Sequence, residues 1–281
     1  MKCLLYLAPL LIFISCQNSE PPSTLDLLKN GKWIDLTYDF DENTIYWPTN
    51  TPFSHDTVFY GVTDKGFFYS SGSYAADEHG GTHLDAPIHF SAEKKAVEQI
   101  KVDQLTGEGI LVDISERALK DKDYLISVED FKHWETVNGI IPDHSMILLF
   151  TAYGQFWNNR EKYIGTSLTG PEAVAELHFP GLHPDAAKWL VSERNIKGIG
   201  LDTPSIDYGQ SEDFLSHQIL CEKEILIFEN VANLEKLPAK GFYIVAFPMK
   251  IKGGSGAPLR IAAFIPIEVY NATENYKPYN G

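Results

Sequence analysis

Three histidines and one aspartate fall within a short segment of the chain, His79-Gly-Gly-Thr-His83-Leu-Asp85-Ala-Pro-Ile-His89. These four residues share one parity, so an extended backbone projects all four side chains to one side. A helix is disfavoured because two glycines and a proline interrupt the segment. Imidazole and carboxylate donors together suit zinc, manganese or iron, whereas magnesium and calcium seldom recruit several histidines. The segment therefore predicts a metal site on a kinked, extended strand.

Further metal ligands are expected elsewhere, because a catalytic site usually has at least three protein ligands and an open position for water. Glu229 shares a face with Ile225 and Ile227 in an apolar run, and a buried carboxylate is costly unless a cation neutralises it. The residues alone leave open whether Glu229 instead meets solvent or an arginine. His217, which we expect in a loop, is equally ambiguous.

Other motifs give no support to a different chemistry. The glycine-rich run at 253–256 lacks the Lys-Ser/Thr of a phosphate loop and predicts a turn beside the site. No Gly-x-Ser-x-Gly elbow is present, and Cys221 has no activating neighbour. Four short polar side chains that follow a predicted strand are interpreted as turn-capping scaffold: Asp202, Thr203, Ser205 and Asp207.

The rest of the sequence predicts one mixed α/β domain. Apolar runs bounded by turn residues indicate buried strands at 109–114, 146–151, 196–201, 225–228, 242–247 and 260–265. Helices are expected after Ser127, where Asp130 completes a capping-box pattern, and after Pro184, where Ala187, Leu190 and Val191 share a face.

Composition and the first residues limit the binding partners and the cellular location that we expect. The formal net charge of −15 argues against nucleic-acid binding. Residues 1–15 resemble a lipoprotein signal peptide, which makes Cys16 a lipidation site, 16–25 a tether and 26–281 the catalytic domain. The expected protein is exported and touches a membrane only through its lipid anchor; plain secretion is the alternative. Cys221 would then be the one remaining cysteine, without an intrachain disulfide.

The histidine segment resembles the motif of the cyclase family of metal-dependent hydrolases, which includes bacterial kynurenine formamidases and isatin hydrolases. The resemblance extends over nearly the whole mature chain. Its further matches are Trp47-Pro48, the run at 198–207, His217 with Glu229, and the run at 253–260.

The resemblance implies a β-rich domain of the swivelling β/β/α type and a site that holds one or two divalent ions, zinc or manganese. It implies His89 as the catalytic histidine and Trp47 as a wall of the substrate pocket. Asp85 and Glu229 would bridge the ions. The implied metal ligands are His79, His83, Asp85, His217 and Glu229.

The function that follows is hydrolysis of a C–N amide bond in a small aromatic substrate. Activated water would attack the carbonyl while His89 transfers a proton to the departing nitrogen. The resemblance implies an arylformamidase that converts N-formylkynurenine to kynurenine and formate. The alternatives are an isatin hydrolase-like opening of a cyclic amide and, from another class, a lipid-anchored protein that binds metal or solute without turnover. A homo-oligomer is expected.

Overall fold

Twelve strands and seven α-helices are distributed along residues 23–274, the part of the chain that this computed structural model describes. The strands are β1 (Lys32–Asp35), β2 (Ser54–Val62), β3 (Phe68–Ala75), β4 (His83–Asp85), β5 (Thr106–Asp113), β6 (Leu125–Ile126), β7 (Met146–Phe150), β8 (Gly181–Leu182), β9 (Gly198–Leu201), β10 (Leu226–Glu229), β11 (Lys240–Pro248) and β12 (Gly256–Ile265). The helices are α1 (Thr24–Lys29), α2 (Ser115–Ala118), α3 (Val128–Asn138), α4 (Arg160–Ile164), α5 (Pro184–Glu193), α6 (Leu215–Glu222) and α7 (Ile267–Glu274).

Eight of the strands form one sheet that closes on itself. Their order is β1-β12-β11-β5-β7-β9-β10-β4, and β4 also pairs with β12. Strands β5, β7, β9 and β10 are parallel neighbours, whereas β4 lies antiparallel between β10 and β12. Because of this closure, the histidine segment lies against strand β10, which is distant in sequence.

The parallel strands are buried on both faces, which explains their continuous apolar runs. Leu111, Leu148 and Phe228 belong to the core inside the closed sheet. Their neighbours Ile110 and Ile147 belong to a second core under α3, α5 and α6. All six predicted strands are present, with short shifts at their ends, and the predicted mixed α/β class is confirmed.

Two helices begin where the sequence predicts them, but a third was not predicted. In α3 the Asp130 carboxylate accepts a hydrogen bond from Ser127 N at 2.7 Å, and α5 begins at Pro184. The expectation that His217 lies in a loop is wrong, because it lies in the first turn of α6. The Asp207 carboxylate caps this turn from a separate loop, accepting bonds from Ser216 N and His217 N. The sequence next to the helix therefore carries no start signal.

Strands β2 and β3 form a separate hairpin that the sequence analysis did not find. Large apolar side chains on it are exposed, among them Tyr60, Val62 and Phe68. With no buried face, the hairpin shows no alternation of apolar and polar residues. An isolated two-stranded hairpin is marginally stable in water. Association between copies of the chain stays a prediction.

The predicted signal peptide at 1–15, the lipidation site Cys16 and most of the tether at 16–25 lie outside the described residues. Within residues 23–274, no helix is long and apolar enough to cross a membrane. Cys221 is a buried free thiol.

Candidate metal centre

The register between β4 and β10 assembles the first part of the site. Glu229 lies opposite His83, and Ile227 lies opposite Asp85. Residues opposite each other in antiparallel strands point to the same face, as do residues two apart in one strand. His83, Asp85 and Glu229 therefore share one face, and His217 reaches them from helix α6.

Each of the two histidines has a ring nitrogen close to a carboxylate oxygen of both Asp85 and Glu229. His83 Nε2 lies 3.2 Å from Asp85 Oδ1 and 3.4 Å from Glu229 Oε2. His217 Nε2 lies 3.4 Å from Asp85 Oδ2 and 3.2 Å from Glu229 Oε1. Four ligands around a tetrahedral zinc ion, with bonds of about 2.0–2.1 Å, are about 3.3–3.4 Å apart. These nitrogen–oxygen separations are those expected between ligands of one cation. Single donor atoms converge to within 4.8 Å of one another in two groups, His79, His83 and Asp85, and Asp85, His89 and His217.

Two atoms of the cluster are buried without a hydrogen-bond partner among the described residues, His83 Nε2 and Asp85 Oδ2. Buried polar groups are rarely left unpaired, because each loses its hydration without compensation. A divalent cation would satisfy both atoms, and imidazole with carboxylate is a donor set that such cations accept. These residues fit a metal ion. The donor set suits zinc and manganese equally and does not select between them.

The carboxylates of the cluster raise the pKa values of the two buried histidines. Burial opposes a charge on His83, but Asp85 and Glu229 outweigh burial and raise its pKa to about 9. The pKa of His217 is also raised, because hydrogen bonds to Asp207, Asp85 and Glu229 overcome the effect of burial. The cluster therefore attracts positive charge. Since metal ligation needs neutral imidazoles, binding of a cation would release protons from these rings.

The Nδ1 atoms of both buried histidines are held by other groups. His83 Nδ1 lies 3.0 Å from the Gly81 carbonyl oxygen, to which it can donate, and Gly81 has a φ of +57° that favours glycine. His217 Nδ1 lies 2.7 Å from Asp207 Oδ2. These contacts direct both Nε2 atoms toward the cluster, as in many metal sites. Asp207, which the sequence analysis interpreted as scaffold, thus orients a predicted ligand.

We expect Asp207→Ala to weaken metal binding by about 10- to 100-fold, because His217 loses the partner that fixes its tautomer and orientation. Asp207→Asn should have a smaller effect, since its amide oxygen can still accept a hydrogen bond. Competition with a chromophoric chelator measures the affinity, and circular dichroism checks that α6 remains folded. An affinity within about 2-fold of the parent protein for both folded variants would contradict this role.

His79 lies at the edge of the cluster and is partly exposed. Its Nδ1 is 2.7 Å from Asp85 Oδ1, and its Nε2 is 2.8 Å from Ser255 Oγ in the turn that the sequence placed beside the site. Ser255 Oγ in turn donates to Glu78 at 2.8 Å. His79 thus contacts a predicted ligand directly, and both of its ring nitrogens have partners.

The prediction of one extended strand for the whole histidine segment is wrong. Only His83–Asp85 is a strand, because Gly81 adopts a left-handed conformation and Pro87–His89 forms a 3₁₀ turn. The turns nevertheless bring the ends of the segment together. The ring of His89 stacks on that of His79 with centroids 3.8 Å apart.

His89 lies beside the cluster and lines the cavity above it. Its ring is 5.8 Å from that of His217, measured between centroids. Burial lowers the pKa of His89 to about 3; the charge of Asp85 opposes this shift, and the neighbouring histidines reinforce it. The ring is therefore neutral at pH 7.

The cavity has a volume of about 230 Å³ and a largely aromatic wall. Trp47, Phe90 and Phe214 line it, together with Asn50 and the histidines and Glu229 of the cluster. A planar aromatic ring fits between such walls, with a polar group directed at the metal donors. Cys221 offers no alternative nucleophile, because burial raises the pKa of its thiol to about 11.

The closed sheet and the buried histidine–carboxylate cluster beside an aromatic cavity define the class of the protein as a mixed α/β protein with a candidate metal centre. Residues 34–208 match the Cyclase family model, described as "Putative cyclase", and this match covers more than half of the chain. The chain therefore belongs to the Cyclase family. The match includes the whole histidine segment but ends before His217 and Glu229, so the roles of individual site residues stay predictions.

Two curated relatives resemble most of the chain. It is 31% identical over 245 residues to an isatin hydrolase of Roseibium aggregatum, covering 84% of this chain and 88% of that protein. It is 29% identical over 233 residues to a kynurenine formamidase of Bacillus cereus, covering 83% and 97%. The solved structure of isatin hydrolase A from Ralstonia solanacearum superposes with a TM-score of 0.79, at 26% identity, over 88% of this chain and 99% of that one. These relatives support amide hydrolysis and are named for different substrates.

Proposed function

We propose that this protein is a metal-dependent arylformamidase that hydrolyses N-formylkynurenine to kynurenine and formate. The observation that carries the proposal is a pair of buried atoms without a hydrogen-bond partner among the described residues, His83 Nε2 and Asp85 Oδ2. They belong to a cluster whose other members, with His83, line an aromatic cavity. The neutral ring of His89 stands beside them. Together these features supply a cation site, a place for an aryl ring and a proton acceptor.

In this proposal His83, Asp85, His217 and Glu229 hold the metal, and His79 supports Asp85 or binds a second ion. The bound cation supplies Lewis acidity, which favours ionisation of water and polarises a carbonyl group. Trp47 and Phe214 position the aryl ring so that its amide faces the donors.

In this proposal His89 carries a proton from water to the departing nitrogen. Its neutral ring takes a proton from water as the new C–O bond forms at the amide carbon. It returns that proton to the nitrogen as the C–N bond breaks. One water is consumed, and the products are a carboxylic acid, here formate, and an aryl amine.

Opening of a cyclic amide such as isatin is the second candidate. No lysine or arginine is among the described residues that line the metal cavity. A compact neutral ring needs no charged partner in this cavity. N-formylkynurenine, by contrast, carries a charged amino-acid tail, for which no described residue lining this cavity offers a cation. The similarity to an isatin hydrolase also supports this candidate.

The test is turnover of N-formylkynurenine and of isatin by the purified protein loaded with zinc or manganese, followed by absorbance. We expect turnover of N-formylkynurenine that a chelator abolishes and that added metal restores. Chelator-sensitive turnover of isatin alone would select the second candidate. Stoichiometric metal binding without turnover of either amide would contradict both and favour a binding protein.

A further inference from the structure

Arg160, the first residue of helix α4, holds a guanidinium group that is largely unpaired. Its Nη1 donates one long hydrogen bond, of 3.4 Å, to the Tyr46 carbonyl oxygen. Its Nε and Nη2 are buried and have no hydrogen-bond partner among the described residues. The side chain as a whole is half-buried, and a guanidinium that loses part of its hydration favours a partner for the nitrogens that are buried. Within residues 23–274, no carboxylate lies within ion-pair distance of it, which leaves these two donors available to an anionic ligand.

This guanidinium lines a groove that adjoins the metal cavity. The groove is far larger, about 1160 Å³ against about 230 Å³. Ile45, Trp47 and Asn50 line both spaces, so the groove begins at the wall of the metal cavity. A ligand whose ring packs on Trp47 can extend from one space into the other.

The remaining charges of the groove are acidic and lie at its exposed rim. Asp39, Asp41 and Glu42 line it, and all three are exposed to solvent. Arg160 Nε and Nη2 are adjacent donors of one planar fork, which matches the two oxygens of a carboxylate. A half-buried cation in a groove that exposed carboxylates also line complements a carboxylate with an ammonium group beside it. That combination is the backbone of a free α-amino acid.

We propose that Arg160 is a specificity-determining residue that binds the carboxylate of an amino-acid tail on the substrate. The inference rests on the proposed amide hydrolysis and adds the residue that selects a substrate with a zwitterionic side chain over a tailless amide. The aryl ring lies against Trp47, the amide faces the metal donors, and the tail enters the groove. Arg160 acts on binding and touches no reacting atom.

The test compares ligands that differ in the tail alone. N-formylkynurenine has the tail, and 2′-formamidoacetophenone has the same ring, ketone and formamide without it. We expect Arg160→Met to lower kcat/KM for N-formylkynurenine by about 10- to 100-fold, because charge-assisted hydrogen bonds are lost. The kcat/KM for the tailless amide should stay within about 2-fold of that of the parent protein. Arg160→Lys, which keeps the charge without the fork, should lie between.

A binding experiment separates this inference from the proposed catalytic activity. Calorimetry of the metal-loaded protein measures kynurenine against 2′-aminoacetophenone, which lacks the tail. We expect kynurenine to bind more tightly, and Arg160→Met to remove that advantage. Arg260→Met is the matched control, since this exposed arginine on β12 pairs with Asp35 and does not line the groove.

The outcomes distinguish a failure of the proposed hydrolysis from a failure of the proposed carboxylate site at Arg160. If neither amide is hydrolysed but kynurenine binding depends on Arg160, the proposed activity fails and the carboxylate site stands. An equal loss for tailed and tailless ligands would assign Arg160 a structural role and overturn the inference. An unchanged preference in folded Arg160→Met, judged by its melting temperature, would overturn it as well.

Discussion

His83→Ala should lose both tightly bound metal and hydrolysis. His83 Nε2 is buried and unpaired, and it lies 3.2 Å and 3.4 Å from the two carboxylates of the cluster. Loss of a partner behind a metal ligand already costs about 10- to 100-fold in affinity, so loss of the ligand itself should cost more. Metal content after dialysis against a weak chelator and chelator-sensitive turnover are the two measurements.

His133→Ala is the matched control for this experiment. His133 is an exposed histidine on α3, outside the cluster, so its removal changes the histidine count without touching the site. Metal content and turnover should equal those of the parent protein. Full metal occupancy and normal hydrolysis in His83→Ala would mean that the cluster is not the metal centre.

Much of this centre is local in the sequence and could be predicted from it. The histidine segment contains four candidate residues, and the buried glutamate stands out in an apolar strand. Periodicity also found the parallel strands, because burial on both faces leaves continuous apolar runs. Closure of the sheet could not be predicted, since β4 is three residues long and its pairing with β10 and β12 depends on distant partners.

The residues that support the metal ligands and the substrate are not marked by any pattern in the neighbouring sequence. Asp207 orients His217 and caps α6 at the same time, but it reads as one of several short polar residues in a turn. Arg160 is a single arginine after two asparagines, and what distinguishes it is that its Nε and Nη2 have no partner among residues 23–274. Both follow from packing between elements that are far apart in sequence, which periodicity and motif spacing do not report.

His89→Ala separates an enzyme from a metal-binding protein, because His89 is the residue proposed to transfer the proton. One of its ring nitrogens lies within 4.8 Å of donor atoms of Asp85 and His217, so the variant's metal content must be measured as well. We expect the variant to keep its metal and to lose about 10²- to 10⁴-fold in kcat/KM, the usual contribution of a general acid–base group. Metal analysis and turnover of N-formylkynurenine are measured on the same sample.

The His89 ring stacks on His79, so His89→Gln serves as a second variant that fills part of the space. Both variants should lose turnover, since neither an alanine nor an amide can take the proton from water. Normal turnover in either variant would remove His89 from the mechanism, and loss of metal from both would reassign it as a ligand.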